Sequence, residues 1–378
     1  MKLKLLIMLI TVTALITVSS LPQPCLSNGY TLSYNLLESP IGSKQYKLNI
    51  VVPESLYEYY NGKDHKQVSV RDFAKFVTPY ALQPVADRLR EIYSDHEDFA
   101  NGVLMIVHQI PYSVTLPAKY PIETMVENCG DCDLFSYIAA SIMKAGGLDV
   151  VLLYYEEQTH MNIGVNLPHA PRYARTPVFF VTYSDIRYYV AECTGDNWKN
   201  GWRVGECPQD LMQETPQIIA LENCEEWAPG QVSASYETLL QSTISLVASS
   251  IFVIQGSTVT LSGQLSPKLQ NKPVTIYVRE GGSPWSILGI TETDSSGKFS
   301  YVWSVNGTGI CQLRASWSGD EKYAGADSPV IGITVLSSFF ILLSTVTAVL
   351  VCVGVLVFLM SAQRRYDVEE PVLPEIPP

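Results

Sequence analysis

The chain has 378 residues, with 37 Asp and Glu against 25 Lys and Arg, a net charge of −12 and a pI near 4.9. That balance argues against nucleic acid or an anionic membrane surface as the main partner. The length exceeds one usual hydrophobic core, so two domains are expected.

Residues 1–20, "MKLKLLIMLITVTALITVSS", place Lys2 and Lys4 before an apolar run that ends in small residues, the layout of a secretory signal peptide. Residues 21–69 read as an N-terminal extension with one clear strand, "KLNIVV", among tyrosines. From Val70 the apolar spacing turns helical in "VRDFAKFV", "VADRLREIY" and "ANGVLMIVHQI", and Pro111 ends the run. The strongest predicted helix is "CDLFSYIAASIMKAG", with Leu134, Ile138, Ile142 and Met143 on one side and Gly146-Gly147 as its stop. Four strand-like runs follow: "LDVVLLYYE", "HMNIGVN", "PVFFVTY" and "RYYVAECT". Residues 70–228 therefore read as an α+β domain, helices followed by an antiparallel sheet, with the chemistry where the two meet.

A linker is expected over 229–248. From 249 to 335, short alternating runs such as "STVTLSG", "KPVTIYVRE" and "GKFSYVW" are separated by turns such as "TDSSG", the rhythm of an all-β Ig-like sandwich. The segment resembles Ig-like modules of exported archaeal and bacterial proteins, which implies a scaffold or spacer. Asn306-Gly307-Thr308 is a glycosylation sequon in a predicted loop. Residues 336–360 are apolar over a length that suits a transmembrane helix. Arg364 and Arg365 follow, so 361–378 is expected to be a cytoplasmic tail and the protein a single-pass protein of the cell membrane with its ectodomain outside.

The chain has eight cysteines. Cys352 falls in the apolar run, and the seven others are an odd number for pairing in an oxidising compartment. Cys129 and Cys132 stand in "NCGDCD" at a C-x-x-C spacing that admits three readings. A redox couple should follow a buried strand of a βαβ unit, whereas "PAKYPIETMVE" precedes this one. A zinc site needs two further ligands, and His108, His160 and His169 lack the paired spacing, so neither metal nor cofactor is expected. As a nucleophile, Cys132 would open a helix whose free N–H groups and dipole favour thiolate and can also serve an oxyanion. His160, at the start of a strand, is the candidate base, and Glu192 the acid that orients it.

Cysteine at a helix start, histidine about thirty residues on, then an acid in an aromatic strand is an order that resembles the transglutaminase-like superfamily, relatives of papain. "GDCDLFSYIAASIMKAGGLDVVLL", "THMNIGV" and "YYVAECTGDNWKNGWRVGECP" are similar to its three motifs, over about Val70 to Pro208. The resemblance implies a helix-plus-antiparallel-sheet fold, a Cys132–His160–Glu192 triad and a second oxyanion donor from Gln109. The family's acid is most often aspartate followed by proline, whereas Glu192 precedes Cys193, which keeps Asp196 and Asp185 as substitutes. With Cys132 set apart, Cys25, Cys129, Cys193, Cys207, Cys224 and Cys311 form an even set, and a Cys129–Cys193 bridge would brace the nucleophile loop against the acid strand.

The expected function is cysteine-dependent acyl transfer on peptide or amide bonds of a protein or peptide substrate, hydrolytic rather than crosslinking. Two alternatives stand beside it: a non-catalytic surface binding or adhesion protein, and a thiol–disulfide oxidoreductase. The sequence leaves the oligomeric state open.

Overall fold

The computed structural model of the protein describes residues 29–366, without the side chains of 340–345, 348 and 361–366. The expected signal peptide, Cys25 and residues 367–378 lie outside the described residues. Tyr30–Leu37 (β1) and Gln45–Val52 (β2) form an antiparallel pair in register from Tyr30↔Val52 to Leu37↔Gln45. One strand was expected here; the second, "YTLSYNLL", alternates apolar and polar residues as a half-buried strand does.

Helices occupy the next stretch: Glu54–Asn61 (α1), a 3₁₀ turn over Val70–Phe76, Pro79–Ile92 (α2), His96–Val107 (α3), Pro121–Glu127 (α4) and Cys132–Ala145 (α5). Helix α5 is buried nearly all round, since it packs against α2 and α3 on one side and the sheet on the other. Its Leu134, Phe135, Ile138, Ile142 and Met143 are fully buried, each stabilising by about 1.5–3 kcal/mol. Asn128 ends α4 in the left-handed conformation at φ 52, which turns the chain so that α5 starts only four residues later.

Five strands follow: Val150–Tyr155 (β3), His160–Val165 (β4), Phe180–Tyr183 (β5), Ile186–Ala191 (β6) and Gln217–Ala220 (β7). They form an antiparallel sheet in the order β5-β6-β4-β3-β7, with β4 central and against α5. The β4–β6 register pairs Ile163 with Ala191 and Gly164 with Val190. One more step sets Glu192 opposite Asn162, on the face that also carries His160 two residues away.

Residues 229–248 are woven into the fold. Ser233–Ser235 (β8) pairs with β2, so the sheet order is β1-β2-β8 and β1 is an edge. Beyond lies a sandwich with its own core, including Trp317, Leu261, Phe299, Ile276 and Leu313. One sheet is built on Thr258–Ser266 and Lys298–Ser304, the other on Pro273–Glu280, Gly309–Gly319 and Ile331–Leu336. It sits directly on α1: Ser55 N–H donates to Asp327 at 2.8 Å, the Ser55 and Ser316 hydroxyls are 2.8 Å apart, and Arg314 pairs with Glu58. Thr275 adds a 2.6 Å hydrogen bond to the Pro229 carbonyl. A free spacer would not be pinned by buried polar contacts.

Two expectations are corrected here. The fold class, an α+β transglutaminase-like domain followed by an Ig-like sandwich and one transmembrane helix, does not describe the chain: strand exceeds helix, 33% against 24%, because the hairpin, β7, β8 and the sandwich outweigh helices concentrated between 54 and 145. The second is the membrane span at 336–360. Among the described residues no helix is long and apolar enough to cross a membrane. Leu336 ends the strand Ile331–Leu336, so the apolar run is divided between that strand and the helix Ser338–Tyr366 (α6). The single-pass cell-membrane location, the membrane as a partner and the transmembrane assignment fall with it.

Candidate active site

The loop before α5 is stitched to the segment after α3. Gly130 N–H donates to the Pro111 carbonyl at 3.2 Å and its own carbonyl accepts from Ser113 at 2.6 Å. A side chain at Gly130 would strike the Thr124 methyl at 2.9 Å, so glycine is what lets this loop lie close against α4. Asp131, the residue before the helix, turns its carboxylate away from the helix to accept from Thr115 N–H at 2.8 Å. Cys132 is then the first helical residue, 8% exposed, with its sulfur 3.9 Å from the Thr159 carbonyl. Ser136 ties the first turn down, its hydroxyl 2.7 Å from the Cys132 carbonyl and 3.2 Å from that of Met161 on β4.

His160 opens β4 directly beside this turn. Its Nε2 is 2.9 Å from Glu192 Oε2, and the Cys132 sulfur lies close enough to act on the ring. Burial works against a proton on the ring, but the Cys132 sulfur and the Glu192 carboxylate outweigh it and raise the His160 pKa to about 10. Glu192 is fully buried. Burial alone would push its carboxyl up, yet His160 and Thr194 more than offset that and hold it below the usual carboxylate value. Four donors converge on the two oxygens: His160 and Asn162 Nδ2 (3.2 Å) on Oε2, Thr194 N–H (2.8 Å) and Thr194 hydroxyl (2.6 Å) on Oε1. The chain thus brings Cys132, His160 and Glu192 together in that order.

Asn162, Thr194 and His108 were not singled out by sequence. Asn162 and Thr194 flank the acid in the β4–β6 register, a signal available once that pairing is known. His108 is buried, and its Nε2–H donates to the Glu192 carbonyl at 3.1 Å. Burial lowers its pKa, so it stays neutral and keeps this donor aimed at the acid's backbone.

Other candidates are placed elsewhere. Gln109 lines the cleft that holds His160, but its amide is engaged elsewhere and is not free as an oxyanion donor: its Nε2 hydrogens go to the Asn35 carbonyl at 2.9 Å and the Met105 carbonyl at 2.7 Å, and its Oε1 accepts from Asn35 N–H at 2.9 Å. The Cys129–Cys193 bridge is likewise corrected. Both are free, as are Cys207, Cys224 and Cys311; Cys193 is fully buried with its thiol 3.5 Å from the Ala191 carbonyl, while Cys129 stays in the loop before α5. Asp196 lines the cleft outside His160 without replacing Glu192, and Asp185 lies in the β5–β6 turn at the opposite end of β6. Asn306 is exposed in its loop. Asp95, Glu97 and His169 gather into a cluster of their own, and Arg172 spans both carboxylates.

Asp133 follows the nucleophile and is half-buried. Burial first, then the hydrogen bond and charge of Asp131, raise its pKa to about 8. The unfolded chain releases this proton near 3.8 and the folded chain keeps it to about 8, so stability falls as pH rises across that window. Asp133→Asn, which keeps a donor toward Asp131, should therefore melt higher than the parent at pH 9 and near it at pH 4. Each kcal/mol gained raises the midpoint by roughly 2–4 °C, and thermal melts across pH 4–9 measure it.

His160 opens into a cleft of about 1060 Å³ whose walls include Thr31, Ser33, Tyr112, Asn128, Gly195 and Trp198. No family model and no curated protein matches the chain. Similar segments occur in solved structures of a chitin binding domain from Burkholderia pseudomallei (14% identity, TM-score 0.20, 22% of this chain and 56% of that one) and of an LPMO from Kitasatospora papulosa (11%, 0.20, 23% and 51%). A structure of the bacterial superantigen toxic shock syndrome toxin-1 matches 25% of this chain and 99% of its own at 13% identity and a TM-score of 0.21. The chain spans about half the length of the first two, and likeness at this level assigns no fold or family. The transglutaminase-like resemblance has no support among them.

Proposed function

We propose that the protein is a cysteine-dependent acyl-transfer enzyme acting on amide bonds, with Cys132 as nucleophile, His160 as acid and base, and Glu192 as the group that orients His160. The observation that carries the reading is His160 held between the Cys132 sulfur and the fully buried, four-donor Glu192. In the reaction the Cys132 sulfur attacks the carbonyl carbon, and the free N–H groups of the first turn of α5 face the developing oxyanion. His160 gives its proton to the leaving amine as the C–N bond breaks, producing a thioester. It then takes a proton from water, whose oxygen displaces the sulfur and releases the acid.

Iodoacetamide tests the reading. Cys132 should be alkylated at pH 7 well ahead of the buried Cys193 and Cys207; an inert Cys132 in the folded protein overturns it. A pH profile adds a second measurement. Turnover of a peptide amide needs the His160 proton and should fall as pH rises through about 10, whereas alkylation, which needs no acid, should not fall. Parallel loss of both would remove His160 from the acid role.

A further inference from the structure

We propose that the outer edge of β1 is a docking strand on which an extended peptide substrate adds to the β1-β2-β8 sheet and runs its backbone past Cys132. The proposal rests on the acyl-transfer reading and names the conformation in which that site takes its substrate.

Four consecutive residues of β1, Thr31 to Tyr34, line the cleft that also holds His160. Successive side chains of a strand alternate between faces, so a cleft touching all four runs along the strand's edge. Among the described residues only β2 pairs with β1, which leaves the opposite edge to the cleft.

The direction of the edge groups follows from Asn35. Its N–H and C=O both point outward, to Gln109 at 2.9 Å each, and Leu37 N–H points the same way, to Met105 Sδ at 3.4 Å. With a period of two, the N–H and C=O of Ser33 and Thr31 also point outward. Among the described residues nothing pairs with them across that edge. The Gln109 carboxamide is planar and bonds Asn35 through one donor and one acceptor, as a peptide group of an added strand would. It fills the first position of the missing strand, and the next two positions lead along the cleft.

The edge also lacks the usual guards. "YTLSYNLL" contains no proline and no charged residue, and its pairing with β2 has no bulge. Edges kept free of pairing partners normally carry one of these. Recognition through main-chain hydrogen bonds makes the class of substrate an unfolded or looped polypeptide read mainly by its backbone, with side chains contacting the cleft at alternate positions.

The test uses the full chain and acetyl-capped tetrapeptidyl chloromethyl ketones, each N-methylated at one residue in turn, with iodoacetamide as the reagent that needs Cys132 alone. If the peptide adds to β1, N-methylation slows alkylation of Cys132 at alternate residues only, by roughly three- to tenfold for each lost hydrogen bond. Ser33→Pro removes an outward N–H from an edge strand, a position where proline is tolerated, and should slow the peptidyl reagents by a similar factor without changing the iodoacetamide rate. Ser33→Ala measures the loss of the Ser33 hydroxyl bond to Asn49 by itself. Equal effects at every N-methyl position, no effect at any, or peptidyl reagents no faster than iodoacetamide would overturn strand docking and leave the acyl-transfer reading intact. A Cys132 inert to both reagents overturns that reading first.

Discussion

Cys132→Ala should abolish turnover of a peptide amide, a loss on the order of 10⁵–10⁶ in kcat if chemistry limits the rate, because the covalent intermediate forms on this sulfur. The fold should survive: the side chain is small and at the end of a helix anchored by Ser136 and a buried apolar face, so the melting curve should shift by only a few degrees. Cys132→Ser separates nucleophile from packing. Its oxygen keeps the shape but is far less acidic than a thiol, so it should be nearly as inactive as alanine. Cys129→Ala is the informative companion. A redox couple would lose function with either cysteine, whereas the geometry here gives Cys129 no contact with His160, and its variant should turn over at close to the parent rate. Equal, severe loss at both positions would revive the C-x-x-C reading, and retained turnover in Cys132→Ala would end the acyl-transfer one.

What could be read from the sequence was the part governed by local periodicity. The α5 helix announces itself through Leu134, Ile138, Ile142 and Met143, and its stop through Gly146-Gly147. That periodicity is local, and so is the alternation that sets His160 on one face of β4. Glu192 came from the order of chemical groups along the chain, and its place opposite Asn162 is a consequence of the β4–β6 register. Contacts made between distant segments were not legible. Gln109 reaches a strand 74 residues earlier in the chain, so its residue type alone could not separate an oxyanion donor from a plug on an edge strand. The same applies to His108, which acts on Glu192 from 84 residues away. Cysteine arithmetic failed for a related reason: an even count permits pairing, but the burial of Cys193 in the core just past β6, with Cys129 left in its loop, decides it. Hydropathy overreached at the C-terminus. It counts apolar residues without asking which belong to a strand, and the run assigned to a membrane begins on Leu336, inside the last strand of the sandwich.

Glu192→Gln should lower kcat by roughly 10²–10⁴ with little change in KM, since the residue is fully buried and touches His160 but not the cleft. The physical reason is the count of donors. Oε1 receives two hydrogen bonds from Thr194 and Oε2 receives one each from His160 and Asn162. A glutamine has one acceptor oxygen, so whichever way its amide turns, an NH₂ group meets donors. Turned toward Thr194, it opposes the backbone N–H and leaves His160 oriented but without a counter-charge. Turned toward His160, it forces the ring to the other tautomer and places the proton on the nitrogen that should receive it from Cys132. In both cases the charge that helps hold the His160 pKa at about 10 is gone, and the alkaline limb of the turnover profile should move to lower pH. This shift separates positioning from packing: a variant that merely loosens the sheet would lose turnover at every pH with the limb unmoved. Asn162→Ala removes one donor and no charge, so it should lower kcat far less and leave the limb near its parent position. A Glu192→Gln protein with parental kcat and limb would show that His160 needs no carboxylate partner, and the triad would reduce to a dyad.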